Sequence, residues 1–479
     1  MITACRFRHS SARAFARSVF LSALTASFVI CAGAAHADPG TKTYLELKEK
    51  GLIYNENGWT DYVEAIGHRL LEADGINPDK FIFIVQDDPG VNAFAMPDGL
   101  IVVFRGLLPY LRSEDELAGV IGHEIGHILG RHVGRNRRNV FLTNLGGFLG
   151  SIATGTSAVW DMTNAVASTI ISGYGREYEL EADEYGAEFL AKAGYAPYAM
   201  IDAIQALKDH ELYQKELSNR PIVYHGLFAT HPRNDKRLHE LVQQVQGRIP
   251  ATLAEPVDDF WAKMDGMAFG DEAATGLIRD QTYYHGALRI VVEFPEGWSV
   301  INTASEVVGR APGGSQDAVI GMQRQNAPAT PQSPEDYVKE TLKRDDVASG
   351  EALTINDRAA YIGEIEVKAG NAQRKTIGIL YYGDAVYVFR GEVGPGGDPE
   401  TFDEHFRSTM EAFRPMSAED LAQAKSQRIQ VIPVEPGMTY RQLAQRSSIK
   451  RAGEETLRVI NGHHPNGEPR PGDYVKIVN

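Results

Sequence analysis

Cysteine is nearly absent from this 479-residue sequence. The only two, Cys5 and Cys31, lie within the first 37 residues. If that segment is removed, the remaining chain has no thiol. Disulfide bonds, zinc sites built on cysteine and cysteine nucleophiles are then all excluded.

The first 37 residues have the pattern of a secretory signal peptide. Four arginines precede the apolar run "SVFLSALTASFVICAGA", which ends at the small-residue pattern Ala35-His36-Ala37. We therefore predict a cleavable signal peptide over 1–37, with cleavage before Asp38, and export to the periplasm or cell envelope. A retained membrane anchor is one alternative. A lipoprotein anchored at Cys31 is another, although Ile30 fits that signal poorly.

Positive charge is also scarce, with 48 Lys and Arg against 63 Asp and Glu and a formal net charge of −15. Removal of 1–37 takes away four arginines and no acid, so that 44 basic residues face 63 acidic ones, a formal charge of −19. An acidic chain of this kind is a poor ligand for nucleic acid, so no nucleic-acid partner is expected.

Beyond residue 37 the sequence lacks an uninterrupted apolar run of membrane-spanning length. The longest candidate, 141–172, contains Asn144, Asp161 and Asn164, so we do not predict a transmembrane helix there. The alternatives are a helical hairpin that covers the site and a segment in peripheral contact with a membrane. Its glycines are not followed by Gly-Lys-Ser/Thr, which excludes a phosphate-binding loop.

The length suggests several domains, and the pattern changes near residues 250 and 416. We predict an α+β protein: a first domain over 38–250, a linker over 251–285, an α+β domain over 286–415, a linker over 416–428 and a small module over 429–479. The module is expected to run strand, helix, helix, strand.

The stretch "GVIGHEIGHILGRH" carries the clearest chemistry. His123 and His127 are four residues apart, so on a helix both rings project from one face and can bind one zinc ion. Ser113 and Glu116 form a predicted capping box, which starts that helix near Glu114. Glu124, next to His123, is then placed to act as a general base.

A third ligand is expected about fifty residues downstream, in "GYGREYELEADEYGAEFL". Glu179 and Asp183 are four apart on a predicted helix over 174–193, so both face one way. Glu179 can complete a three-ligand zinc site, and Asp183 can orient a zinc-bound histidine. The spacing leaves open three competing acids: Glu177, Glu181 and Glu184.

The pair "HEIGH" and "ELEAD" resembles the zinc metalloprotease family that includes the CAAX prenyl proteases, the HtpX proteases and periplasmic quality-control enzymes. The resemblance covers about residues 55–247. It implies a mostly helical gluzincin domain with a small edge-strand sheet and one Zn²⁺ per chain, held by His123, His127 and Glu179. It also implies that Asp183 orients a ligand.

Two further stretches resemble that family. In "NAFAMPDGLIVVFRG" a predicted hairpin carries Phe94 and Ala95 on its edge strand, where substrate would add through main-chain hydrogen bonds. In "ATHPRNDKR", His231 and Arg237 match the family's His-Pro motif.

For His231 the alternatives are a zinc latch, an oxyanion donor and a helix cap. His225 is a neighbouring candidate for the same roles, and we interpret His132 and His239 as surface or satisfied residues.

The downstream regions carry weaker resemblances. Residues 286–415 resemble a PsbP-like sandwich in pattern alone. Residues 429–479 resemble a LysM-type module, with Gly437, Leu443, Asn461, Pro471 and Gly472 at matching points. Peptidoglycan binding is one interpretation of this module, and a domain that only packs on its neighbour is the other.

These observations predict a periplasmic or secreted zinc endopeptidase that degrades misfolded or misassembled envelope proteins. A chaperone-like envelope protein with a mostly latent zinc site is the alternative, and a peptidoglycan-bound scaffold is a third possibility. Glu124 argues against a pure binding protein, because binding zinc requires no general base.

Overall fold

The structure is a computed structural model. It describes residues 38–132, 176–218, 241–242, 259–273, 276–302, 306–312, 318–367, 372–449 and 451–479. Within these ranges no helix combines the length and the apolar character needed to cross a membrane. The predictions for the signal peptide, for 141–172 and for His225, His231, Arg237 and His239 lie outside the described residues.

In the described part of residues 38–218, five α-helices surround a small sheet. The helices are α1 (Pro39–Glu49), α2 (Trp59–Ala73), α3 (Glu114–Leu129), α4 (Arg176–Ala193) and α5 (Ala199–Ser218), and the strands are β1 (Ile82–Gln86), β2 (Ala93–Ala95) and β3 (Leu100–Phe104). The strand order is β1-β3-β2, with β1 parallel and β2 antiparallel to β3. The predicted hairpin is therefore present, and its first strand is at the edge of the sheet.

A side-chain cap at Ser113 explains why α3 begins at Glu114. Ser113 is the N-cap, and its side chain accepts a hydrogen bond from the backbone N–H of Glu116 at 3.2 Å. The predicted capping box is wrong in its second half. The Glu116 carboxylate accepts hydrogen bonds from the backbone N and the Nε of Arg112, because the Arg112 guanidinium offers a charged partner.

The described residues between 259 and 426 form three helices and twelve strands. The helices are α6 (Asp259–Met264), α7 (Pro399–Glu411) and α8 (Ala418–Gln423), besides a single helical turn at Pro334–Asp336 that continues as a π-helical turn at Tyr337–Thr341. The strands are β4 (Ala268–Phe269), β5 (Leu277–Arg279), β6 (Thr282–His285), β7 (Ile290–Glu293), β8 (Ser299–Asn302), β9 (Val307–Arg310), β10 (Ala318–Asn326), β11 (Val347–Ile355), β12 (Arg358–Ile365), β13 (Arg374–Tyr382), β14 (Ala385–Val393) and β15 (Arg414–Pro415).

Eleven of these strands, β5 to β15, build two sheets that share a core with α7. One has the order β11-β12-β13-β14-β10-β9-β8 and the other β15-β7-β6-β5. One buried cluster contains Phe294, which directly follows β7, Phe389 of β14 and Phe406 of α7. The α+β character predicted for this region is observed.

Both predicted linkers contain regular structure. Within 251–285, β5 and β6 extend the smaller sheet by pairing with each other and with β7, and within 416–428 the chain forms α8. The strands are only three and four residues long. Sequence periodicity is a weak signal over so few residues, so these strands were not predicted.

The terminal region has the expected order of strand, helix, helix and strand: β16 (Gln427–Pro433), α9 (Tyr440–Arg446), α10 (Gly453–Ile460) and β17 (Tyr474–Val478). β16 pairs with β17 and also with β4, where Gln427 lies opposite Phe269. The two-sheet domain is thus inserted between two neighbouring strands, β4 and β16.

The terminal region and the first part of the chain share one hydrophobic core. Leu457 and Val475 belong to the same buried cluster as Leu117 and Ile121 of α3. Lys476 of β17 is fully buried, and its Nζ donates to the carbonyl oxygens of Pro109 and Leu111, each at 2.7 Å. These carbonyls lie just before the N-cap of α3. The last strand therefore supports the turn that leads into the HEIGH helix.

Candidate metal centre

The HEIGH helix and the helix that carries Glu179 approach each other through glycines. A Cβ on Gly122 of α3 would lie 3.2 Å from the Cα of Gly186 in α4, and one on Gly126 would lie 3.0 Å from the carbonyl oxygen of Ala182. Both contacts are tighter than ordinary packing, so side chains here would force the helices apart. This close crossing sets the distance between the ligands that the two helices carry.

His123, His127 and Glu179 meet at this crossing, and all three are buried. The Nε2 atoms of the two histidines are 3.0 Å apart. The Glu179 carboxylate oxygens lie 3.6 Å from His123 Nε2 and 3.5 Å from His127 Nε2. In the part of the chain that is described, this is the one group of three His, Cys, Asp or Glu residues spaced to hold a metal ion.

The spacing fits zinc. A tetrahedral ion with bonds of about 2.0–2.1 Å separates its ligand atoms by about 3.3 Å, close to the three distances in this site. One imidazole pair and one carboxylate also form the ligand set of catalytic rather than structural zinc sites, which keep a fourth position open. The residues present therefore fit a catalytic zinc ion.

Two other predicted residues lie beside these ligands. Asp183 is buried, and its Oδ1 accepts a hydrogen bond from Nδ1 of His123 at 2.9 Å, which leaves Nε2 facing the site. Glu124 is also buried, with 1% of its surface exposed, and follows His123 on α3.

Burial separates the competing acids of α4. Glu179 is fully buried, whereas Glu177 and Glu184 are exposed and Glu181 is half-buried. Helical spacing could not distinguish these four, because it does not show which face of α4 meets α3.

The edge strand β2 packs on α3, and its side chains are enclosed. Phe94 is 4% exposed and lies in a cluster with Leu47 of α1, and Ala95 is 3% exposed and faces the main core. Within the described part of the sheet, β2 pairs with β3 on one side only. Its backbone, rather than the Phe94 ring, is therefore the part that a substrate could meet.

The start of α3 is surrounded by charged and phenolic groups. Glu114 accepts hydrogen bonds from the hydroxyls of Tyr62 and Tyr195. Burial, followed by this hydrogen bond, raises the pKa of Tyr195, so the phenol stays protonated as a donor. On the opposite side, burial lowers the pKa of Lys476 to about 7.

The burial of His132 beside His127 was not predicted from the sequence. This residue is fully buried, and its Nδ1 lies 2.8 Å from Nδ1 of His127. The interpretation of His132 as a surface residue is therefore wrong.

A buried His-Glu-x-x-His helix joined to a glutamate on a second helix defines the class of zinc metallopeptidases. Within that class, residues 59–245 match Peptidase family M48. The matched range includes the cluster of His123, His127 and Glu179.

Several curated proteins are similar to part of this chain. The beta-barrel assembly-enhancing protease of Escherichia coli O157:H7 is 29% identical over 246 residues, 49% of each chain, and that of Yersinia pestis is 31% identical over 226 residues, 44% of this chain and 45% of the relative. The mitochondrial metalloendopeptidase OMA1 of Arabidopsis thaliana is 38% identical over 116 residues, 24% of this chain and 23% of the relative. The matches span about half the length of these bacterial relatives.

Among solved structures, the solution structure of cyanobacterial PsbP (CyanoP) from Synechocystis sp. PCC 6803 is similar with a TM-score of 0.23 and 14% identity. The match covers 28% of this chain and 91% of that one. A TM-score this low does not establish a common fold, so the PsbP-like character of 286–415 stays a prediction.

Proposed function

We propose that this protein is a zinc-dependent endopeptidase of the periplasm or cell envelope that degrades misfolded or misassembled envelope proteins. The observation that carries the proposal is the convergence of His123, His127 and Glu179 within 4.8 Å of one another beside the buried Glu124. A protein that only binds zinc has no use for a buried carboxylate at that position.

In the proposed peptide-bond hydrolysis, the metal ligands, Glu124 and Asp183 have different roles. Zinc, when bound by the three ligands, supplies a Lewis acid with one open position. Glu124 acts as the general base: its carboxylate takes a proton from the attacking water and passes it to the leaving amine. The Asp183 carboxylate accepts a hydrogen bond from the Nδ1–H of His123 and so holds that ring in the tautomer whose Nε2 is available to a metal.

Substrate recognition is assigned to the backbone of β2. An extended peptide that adds to this edge is held by main-chain hydrogen bonds, which are independent of sequence. The enclosed side chains of Phe94 and Ala95 support recognition of this kind. An enzyme that recognises extended backbone selects unfolded segments, because folded chains have already used those hydrogen bonds.

The envelope location and substrate class rest on two observations. Residues 1–37 have the signal-peptide pattern, and the similar bacterial proteins are named beta-barrel assembly-enhancing proteases. His231 and Arg237 enter the proposal only through their sequence motif, as residues that hold the site latent or stabilise the reaction. In the alternative function, His231 keeps the site closed and the protein acts mainly as a chaperone-like binder.

Two partner proposals concern other parts of the chain. Residues 141–172 are a candidate for peripheral membrane contact on composition alone. The terminal region is a candidate for peptidoglycan binding, through loops at 434–439 and 461–473 where most residues are exposed or partly exposed. Sedimentation with purified peptidoglycan tests this idea. Equal recovery in the supernatant with and without peptidoglycan would exclude it.

The main proposal is tested with Glu124→Gln. We expect the wild type to hold about one zinc per chain and to cleave an unfolded protein such as reduced casein. Glu124→Gln should keep the metal and lose cleavage, since an amide cannot accept the proton. Glu184→Gln, which alters an exposed acid on α4, is the matched control and should behave as the wild type. Cleavage by Glu124→Gln at the wild-type rate would refute the mechanism, and a wild type without zinc would refute the metal site.

A further inference from the structure

His132 owes its position to a turn directly after α3. The helix ends at Leu129, and Arg131 then adopts a left-handed conformation with φ of 51°. On a continuing helix, residues 127 and 132 would point in directions about 140° apart and could not touch. The turn reverses the chain and returns the His132 ring to the end of the helix, beside His127.

The turn also leaves a space that only glycine provides. A Cβ on Gly130 would lie 2.2 Å from Nε2 of His132, well inside contact distance. Tyr178 of α4 stacks on the same ring, with 5.0 Å between ring centroids and 26° between planes. His132 is therefore fully buried in a fitted site rather than folded loosely against the surface.

The contact with His127 determines where the protons lie. His127 uses Nε2 towards the metal centre, 3.5 Å from Glu179 Oε1, so its remaining proton is on Nδ1. Nδ1 of His132 lies 2.8 Å away and must then accept that proton in a hydrogen bond. A neutral His132 that accepts at Nδ1 carries its own proton on Nε2.

The next group along this path is a carboxylate. Oε2 of Glu181, on α4, lies 3.4 Å from Nε2 of His132, on the side where the proton is required. The negative charge of Glu181 favours the tautomer of His132 that has its proton on Nε2. The same proton positions therefore suit both contacts, the one between Glu181 and His132 and the one between His132 and His127.

We propose that His132 is a positioning residue for the metal ligand His127, acting as a neutral acceptor that is itself oriented by Glu181. The inference rests on the proposed zinc site. The two histidine ligands then have different hydrogen-bond partners. His123 donates directly to the Asp183 carboxylate, whereas His127 donates to the His132 imidazole, which in turn faces the Glu181 carboxylate. Partners of this kind fix ring orientation and strengthen metal binding.

The test compares two amides at position 132. In His132→Asn the amide oxygen can occupy the place of Nδ1 and accept from His127, whereas in His132→Gln the amide group reaches the place of Nε2 instead. Zinc affinity of the metal-free proteins is measured by competition with a chromogenic chelator. We expect His132→Gln to bind zinc about 10- to 100-fold more weakly than the wild type, and His132→Asn to stay within a few-fold of it.

Gly130→Ala provides an independent variant, because it keeps His132 but places a methyl group against its ring. Its zinc affinity should fall in the same direction as that of His132→Gln. Thermal unfolding of each metal-free variant shows whether folding is preserved. Equal zinc affinity of His132→Asn and His132→Gln would overturn the inference while leaving the zinc site intact. A wild type that binds no zinc would overturn the proposed function itself.

Discussion

Replacement of Lys476 by methionine tests whether the terminal strand supports the metal-binding helix through a buried amine. Methionine is similar in length to lysine but has no N–H to donate. In Lys476→Met the carbonyls of Pro109 and Leu111 lose their shared donor, and each costs about 1–3 kcal/mol if it stays buried without a partner. The variant also removes the cost of burying an ammonium group.

The lost hydrogen bonds and the cost of burying the ammonium group can be separated by measuring how the free energy of unfolding depends on pH. Burial lowers the pKa of Lys476 from 10.5 to about 7. Between these values the unfolded chain binds the proton more tightly than the folded chain, so stability rises with pH across this window. With about 1.4 kcal/mol for each pKa unit, the free energy of unfolding of the wild type should rise by about 2 kcal/mol from pH 7 to pH 9, relative to Lys476→Met.

The assay is urea unfolding of the metal-free proteins at pH 7, 8 and 9, followed by tryptophan fluorescence. Trp261 is a suitable probe because its ring lies 5.4 Å from the Lys476 amine. Lys425→Met, at an exposed lysine, is the matched control and should follow the wild type at all three pH values.

This reasoning would be refuted if the free energy of unfolding of the wild type minus that of Lys476→Met stays constant or falls from pH 7 to pH 9. It would mean that Lys476 keeps its proton in the folded protein and that the carbonyls and the Glu116 carboxylate outweigh burial.

Three further predictions concern the site and its surroundings. Gly122→Val should lower zinc content, because its side chain would push α3 away from Gly186 and separate the ligands; full occupancy at equal zinc would contradict this. If His231 is a latch, His231→Ala should raise basal cleavage of casein, whereas unchanged or lower activity would favour the cap and oxyanion roles. Replacing 271–426 by a short Gly-Ser turn should leave a folded, zinc-binding protein, because β4 and β16 are paired neighbours. Aggregation of that variant would show that the inserted domain is needed for the first core.

The residues of the metal centre were accessible to sequence reasoning because its signals are local. Ser113 caps the helix three residues before Glu116, and a four-residue spacing on a helix places His123 and His127 together. The choice of Glu179 needed the family resemblance. Its burial at the α3 and α4 crossing depends on glycines from both helices, a contact between segments about sixty residues apart.

The features that sequence reasoning missed depend on distant contacts or on single backbone angles. The position of His132 follows from the left-handed Arg131, an angle that arginine adopts rarely and that no local pattern indicates. Lysine is usually exposed on the protein surface. Lys476 is buried because β17 packs against the turn before α3, a contact that the local sequence does not indicate. The short strands β5 and β6 gain their stability from β7, outside the predicted linker.

The hydrophobic core shared by the first part of the chain and the terminal region also affects the order in which the protein folds. Lys476 lies 367 residues beyond Pro109, so a ribosome that has finished the HEIGH helix has most of the chain still to make before the supporting strand exists. Contacts of such long range form late in folding. A growing chain therefore exposes its two histidines well before the helix that carries them has its final support.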